Sequence, residues 1–110
     1  MNLSKEMAIA GNGATACRCS DCNAYTIIYV SKNLYKITLQ RDTVIELTKP
    51  IFITGGFAGY CTNQNSIEHK YEVNEEGFSI NAFWSKKDKM YKSEGKTIIE
   101  GRHEFYDYNF

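Results

Sequence analysis

The sequence predicts a mainly β fold, a small antiparallel sheet or barrel-like domain with a minor helical element. Two runs rich in β-branched and aromatic residues, 24–30 (AYTIIYV) and 34–40 (LYKITLQ), flank the short polar turn Ser31-Lys32-Asn33, which is the pattern of a β-hairpin. Further short strand-like runs recur downstream between turn signals, as expected of an antiparallel sheet or small barrel. Aromatics make up 14% of the chain, which favours a compact β-rich body over an extended helical one.

With 110 residues the chain is expected to form one domain, residues 1–110. Residues 3–10 (LSKEMAIA) offer two helical turns with Ser4 as cap, stopped at Gly11 and Gly13. From Ala14 the pattern becomes strand-like. In the hairpin, Tyr35, Ile37 and Leu39 alternate with Lys36, Thr38 and Gln40. Residues 43–47 give a short strand, and Pro50 argues against a central strand position there. Residues 51–54 run into Gly55-Gly56-Phe57-Ala58-Gly59-Tyr60, where glycines beside aromatics suggest a loop that backbone or ligand approaches closely. Residues 71–73, 78–84, 89–92 and 96–99 read as strands, with turns at residues 74–77 and at Glu94-Gly95. The last ten residues, GRHEFYDYNF, carry Phe105, Tyr106, Tyr108 and Phe110. Chain ends fray unless tied down, so four aromatics here imply a packed strand or an intermolecular surface.

Thirteen acidic residues balance thirteen basic ones. A neutral chain without a basic block is not expected to bind a nucleic acid polymer, although a local Arg or Lys cluster could hold one small anion. No apolar run reaches the length of a membrane span, and residues 1–13 lack the apolar core of a signal peptide, so a cytoplasmic location is expected. Reduced thiols follow from that location. Cys17, Cys19 and Cys22 form C-x-C-x2-C, with Cys61 as a possible fourth ligand. Zinc needs four such ligands, but the second C-x2-C pair of a common structural site is missing. Free thiols packed as small apolar groups are the favoured reading. His69 and His103 lack any local motif that would pair them with a nucleophilic cysteine, and no enzyme is expected. Gly11-Asn12-Gly13 reads as a turn in place of a phosphate loop.

Arg41, Arg102 and Arg18 are candidate anion holders, because a guanidinium pairs bidentately with phosphate. On the residues alone, ion pairs with Asp21, Asp42 or Asp107 are the favoured reading for Arg41 and Arg102. Phe83, Trp84, Phe57 and Tyr60 could stack on a base, or belong to the core.

Several stretches taken in order resemble one known family. They are Gly13-Ala14-Thr15, Ser20-Asp21, Ala24-Tyr25-Thr26-Ile27, Val30-Ser31-Lys32 and Ile37-Thr38-Leu39-Gln40-Arg41-Asp42. Tyr71-Glu72 and Gly101-Arg102 with Glu104-Phe105-Tyr106-Asp107-Tyr108-Asn109-Phe110 complete the series. This resembles the first Thoeris anti-defence family of small phage proteins and covers most of the chain outside residues 48–66. The resemblance implies a molecular sponge that sequesters cyclic ADP-ribose signals made by bacterial TIR-domain immune enzymes without cleaving them; the aromatic tail, packed near a subunit interface, adds the expectation of a homo-oligomer. The resemblance implies no cofactor. Arg41 and Arg102 would then hold phosphates, Phe83 or Trp84 would stack on the base, and Asn81 and Asp21 would read ribose hydroxyls or the base edge. Cys22 and Asn23 stand where the family pattern has Arg-His, and residues 55–60 look like an insertion. The alternative function is a zinc-stabilised interaction module that blocks a host protein.

Overall fold

A computed structural model describes residues 1–18, 21–47, 52–53, 60–61 and 68–105. It is an all-β protein whose main body is a closed six-stranded antiparallel barrel. The strands are β1 (Gly13–Arg18), β2 (Asp21–Val30), β3 (Lys36–Arg41), β4 (Thr43–Glu46), β5 (Phe52–Ile53), β6 (Tyr60–Cys61), β7 (His69–Glu72), β8 (Ser79–Ser85), β9 (Met90–Ser93) and β10 (Lys96–Glu100). Around the barrel the order is β1-β10-β9-β8-β3-β2, so neighbours are hairpin partners except where β3 meets β8 and β1 meets β10. Between β3 and β8 the chain leaves the barrel to form two ribbons, β4 with β7 and β5 with β6.

Binary alternation explains the inner wall. Ile37 and Leu39 of β3 are wholly buried, while Thr38 and Gln40 face outward. Small and large side chains fill the narrow lumen together: Ala14, Ala16 and Ala82 lie among Tyr25, Ile27, Ile98 and Tyr91. Tyr91 Oη donates to the Leu34 carbonyl (2.6 Å), which satisfies the one polar atom it carries into the core.

The β2–β3 ladder contains an irregularity. Ile27 pairs with Leu39, but Tyr29 pairs with Thr38, leaving Ile28 as an extra residue. Such a bulge re-aims the side chains that follow it. Strict alternation would place Tyr29 inside with Tyr25 and Ile27; instead it stands on the outer face, half exposed. The tight turns use backbone that the sequence signalled. Glu94 (φ 46°) and Gly95 (φ 81°) close the β9–β10 hairpin in the left-handed conformation that two-residue loops require. Leu34 (φ 62°) ends the preceding turn, β3 begins at Lys36, and the Tyr35 side chain is exposed.

Among the described residues no helix forms. The two turns expected over residues 3–10 reduce to one turn, in which Ser4 accepts from Met7 N through its carbonyl (3.2 Å) and Oγ (3.3 Å). The segment instead packs against the barrel. Leu3 N donates to Ile98 O (3.1 Å), and Leu3 and Ala8 enter the core. Tertiary burial of Leu3 outweighs a short helix that would be marginal by itself.

Candidate ligand-binding face

Register across three strands builds a basic and aromatic row on the outside of the barrel. Lys36 of β3 is opposite Phe83 of β8, which is opposite Lys92 of β9. Phe83 is 42% exposed although the strand around it is fully paired, so its ring is available for contact. The Tyr35 ring lies 5.6 Å away, tilted by 50°. In the next row Tyr29, Thr38 and Asn81 follow one another on β2, β3 and β8, and Thr38 Oγ1 donates to Asn81 Oδ1 (2.9 Å).

A cavity of about 410 Å³ adjoins this row, lined by Ser79, Ile80, Asn81, Phe83, Ser93 and Glu94. The β8–β9 pairing runs from Ser85↔Met90 to Phe83↔Lys92, and the residues lining the cavity lie at and beyond the Phe83 end of it. The volume suits a ligand of nucleotide size. Its lining offers one phenyl ring, an amide, two hydroxyls and one carboxylate, a set able to stack on a planar base and accept from ribose hydroxyls. Lys92 forms an exposed ion pair with Asp88, whose carboxyl the ammonium holds below the usual carboxylate range. An exposed pair of this kind exchanges readily for a ligand anion.

Of the residues expected from sequence, Asn81 and Phe83 come together in this cavity. Trp84 does not join them, because consecutive strand residues face opposite ways. It packs edge-on against Tyr91 at 5.0 Å, with Lys5 Nζ 4.9 Å from its ring. Only Phe83 of the two can stack on a ligand at the outer face. Asp21 stands at the start of β2, opposite Arg18, and does not line the cavity.

Arg41 and Arg102 are each held by a carboxylate, and the Arg102–Asp42 contact is one of the ion pairs expected from the sequence. Arg41 pairs bidentately with Glu104 (Nη1–Oε1 3.0 Å, Nη2–Oε2 2.9 Å) and donates to the Ala24 carbonyl. Arg102 Nε donates to Asp42 Oδ2 (2.8 Å) and its Nη2 to Thr26 Oγ1 (2.8 Å), while Thr26 Oγ1 donates to Asp42 Oδ1 (2.5 Å). Gly13 permits this crossing, since a Cβ there would lie 2.6 Å from Arg102 Cγ. The same network ties down the tail. Thr15 Oγ1 donates to Gly101 O (2.7 Å), Glu104 N donates to Tyr71 Oη (2.8 Å), and Phe105 exchanges both backbone hydrogen bonds with Cys22. The aromatic end is therefore docked as far as Phe105; residues 106–110, and the strand and interface expected for them, lie outside the described residues.

Cys17 and Cys22 are direct cross-strand partners of the β1–β2 hairpin and form a disulfide. This corrects the expectation of free thiols and withdraws two ligands from the zinc reading. It also runs against the reduced thiols expected from a cytoplasmic location, since disulfides persist mainly in oxidising surroundings. Among the described residues no group of three or more His, Cys, Asp or Glu is placed to hold a metal ion, and no helix is long and apolar enough to cross a membrane. The expected glycine-rich loop at residues 55–60 falls outside the described residues except for Tyr60 in β6.

No family model, curated protein or solved structure matches this chain.

Sequence reasoning missed Tyr29, Tyr35, Lys36, Lys92, Ser93 and Glu94 as parts of the face. For Lys36 and Lys92 the signal was there in principle, as polar positions on the outer sides of strands. For Tyr29 there was none, because the bulge reverses its direction.

Proposed function

We propose that the protein is a binding protein that captures a small nucleotide-derived ligand against β8 without transforming it. The observation that carries this reading is Phe83, an exposed ring set between Lys36 and Lys92 at the edge of a cavity of nucleotide size. A base stacks on Phe83, with Tyr35 as the second ring, and phosphate is met by the two lysines. Glu94 and Asn81 supply acceptors and donors for ribose hydroxyls and the base edge. The resemblance to the Thoeris anti-defence family narrows the ligand to a cyclic ADP-ribose isomer, sequestered as an immune signal.

Titration calorimetry against cyclic ADP-ribose isomers, ADP-ribose and cyclic oligonucleotides tests this. A sponge must hold its signal at low concentration, so a Kd near the nanomolar range, about −12 kcal/mol, is expected for one of them. Phe83→Ala should weaken that binding by about 1–3 kcal/mol while changing stability by less than about 0.5 kcal/mol. The ligand should be recovered intact after heat denaturation. Absence of binding to every one of these compounds at micromolar concentration would sink the reading.

A further inference from the structure

We infer that the same side of the barrel binds single-stranded nucleic acid, through a lysine-rich end and three outward-facing aromatic rings. The zero net charge conceals a segregation of charge. Residues 31–36 and 83–92 carry Lys32, Lys36, Lys86, Lys87, Lys89 and Lys92, six of the 13 cationic side chains, and only Asp88 of the 13 acidic ones. The two segments are brought together at one end of the barrel, where Lys36 is registered with Phe83 and Trp84 N donates to Tyr35 O (2.8 Å). Among the described residues, none of Lys32, Lys86, Lys87 and Lys89 forms an ion pair. Six lysines exceed what one nucleotide can neutralise, and they are disposed to meet a chain of phosphates.

The rings point to unpaired bases as the neutral half of that ligand. Tyr29 is 50% exposed and Tyr35 53%, and both share the outer face with Phe83. Tyr29 on β2 and Phe83 on β8 are separated by β3, two inter-strand spacings or about 10 Å, so one base cannot lie on both. Rings spaced in this way between cationic turns match the stacking platforms that bind single strands irrespective of sequence. A duplex keeps its bases stacked and offers no face to them. A lipid surface suits the arrangement less well, because the rings alternate with the polar Thr38–Asn81 pair on a sheet face and do not protrude as an apolar tip. The inference goes beyond capture of a small nucleotide and shares Phe83 with it.

Fluorescence anisotropy with a labelled thymidine decamer, its duplex with the complementary strand, and phosphatidylserine vesicles as competitor tests the assignment. Binding to the single strand should fall by about 15- to 60-fold between roughly 50 and 200 mM salt, as expected for three or four neutralised phosphates at a slope of about −0.7 each. The double variant Lys86→Glu/Lys87→Glu should weaken binding and flatten that slope by about 1.4, with circular dichroism unchanged. Tyr29→Ala, which removes a ring outside the cavity, should weaken binding about 5- to 150-fold and leave the slope as it was. No anisotropy change up to roughly 100 µM protein at low salt, equal affinity for the duplex, or preference for vesicles overturns the inference. Calorimetry on the same wild-type preparation separates the two readings. Nucleotide binding without decamer binding removes only this inference, and the reverse outcome removes only the small-ligand site.

Discussion

The buried carboxylate of Asp42 sets a strong single-residue requirement. Its side chain is wholly removed from solvent, and Arg102 and Thr26 are its partners. Removing one partner of a buried pair leaves the other charge uncompensated, which costs far more than the pair contributes as a whole. Arg102→Ala should therefore lower unfolding stability by about 3 kcal/mol, a fall of about 15 °C in Tm, measured by thermal and urea melts. Arg102→Lys should recover part of this, because an ammonium keeps the charge but not the fork that reaches Thr26. A variant that melted like the wild type would show that Asp42 finds another partner. Two tyrosines make a second prediction at this scale. Burial raises the phenol pKa of Tyr91, and that of Tyr25 against the opposing effect of Arg41. A folded-state pKa above the unfolded value of 10.0 means the stabilisation is complete below pH 10 and is lost as pH climbs through the raised value. Melts from neutral to strongly alkaline pH should stay level up to about pH 10 and then decline. Tyr91→Phe should blunt the decline while forfeiting the hydrogen bond to Leu34.

Among the elements, the β1–β2 hairpin has its own staple. The disulfide joins residues five apart in sequence, so it closes a very short loop. On loop entropy alone such a crosslink contributes about 2 kcal/mol, and the effect reaches beyond the hairpin because Cys22 also pairs with Phe105. A reductant should lower Tm in the wild type and have no effect on Cys17→Ser/Cys22→Ser. Equal sensitivity of the two proteins would show that the hairpin is held by its ladder and by the tail alone. Much of this scale was legible in advance. Residues 43–47, 71–73, 78–84, 89–92 and 96–99 each contain a strand within one or two residues of the expected limits, because alternation and turn chemistry are local. The short N-terminal segment was misread, since its cap and apolar residues signal a helix only while Leu3 has no core to enter.

On the scale of the whole molecule, the segment before β1 adds to the barrel wall. β9 pairs with β10 only as far as Thr97↔Lys92, and the N-terminal residues take over the vacated edge through Asn2↔Ile99 and Leu3 N to Ile98 O. Leu3 is 1% exposed and belongs to the core cluster. Leu3→Ala should cost about 2–5 kcal/mol in urea denaturation, the range for a core leucine, where a frayed end would give almost nothing. A negligible loss would mean that the barrel core does not draw on this segment.

Local sequence by itself determined the all-β class, the hairpins and the alternating inner wall of β3, since each rests on neighbours a few residues apart. Ile37 and Leu39 could be assigned to the core from spacing alone. Contacts between distant segments decided which residues the candidate face brings together. Arg41 and Arg102 carry the residue type expected of phosphate holders, yet Glu104 and Asp42, some 60 positions away, neutralise them. Phe83 gains its flanking lysines only because register joins β3, β8 and β9. Tyr29 faces outward through one inserted residue in a ladder. Charge followed the same logic. Composition fixed its sum at zero, while the fold gathered lysines from two separate turns at one end, and electrostatic recognition depends on that arrangement.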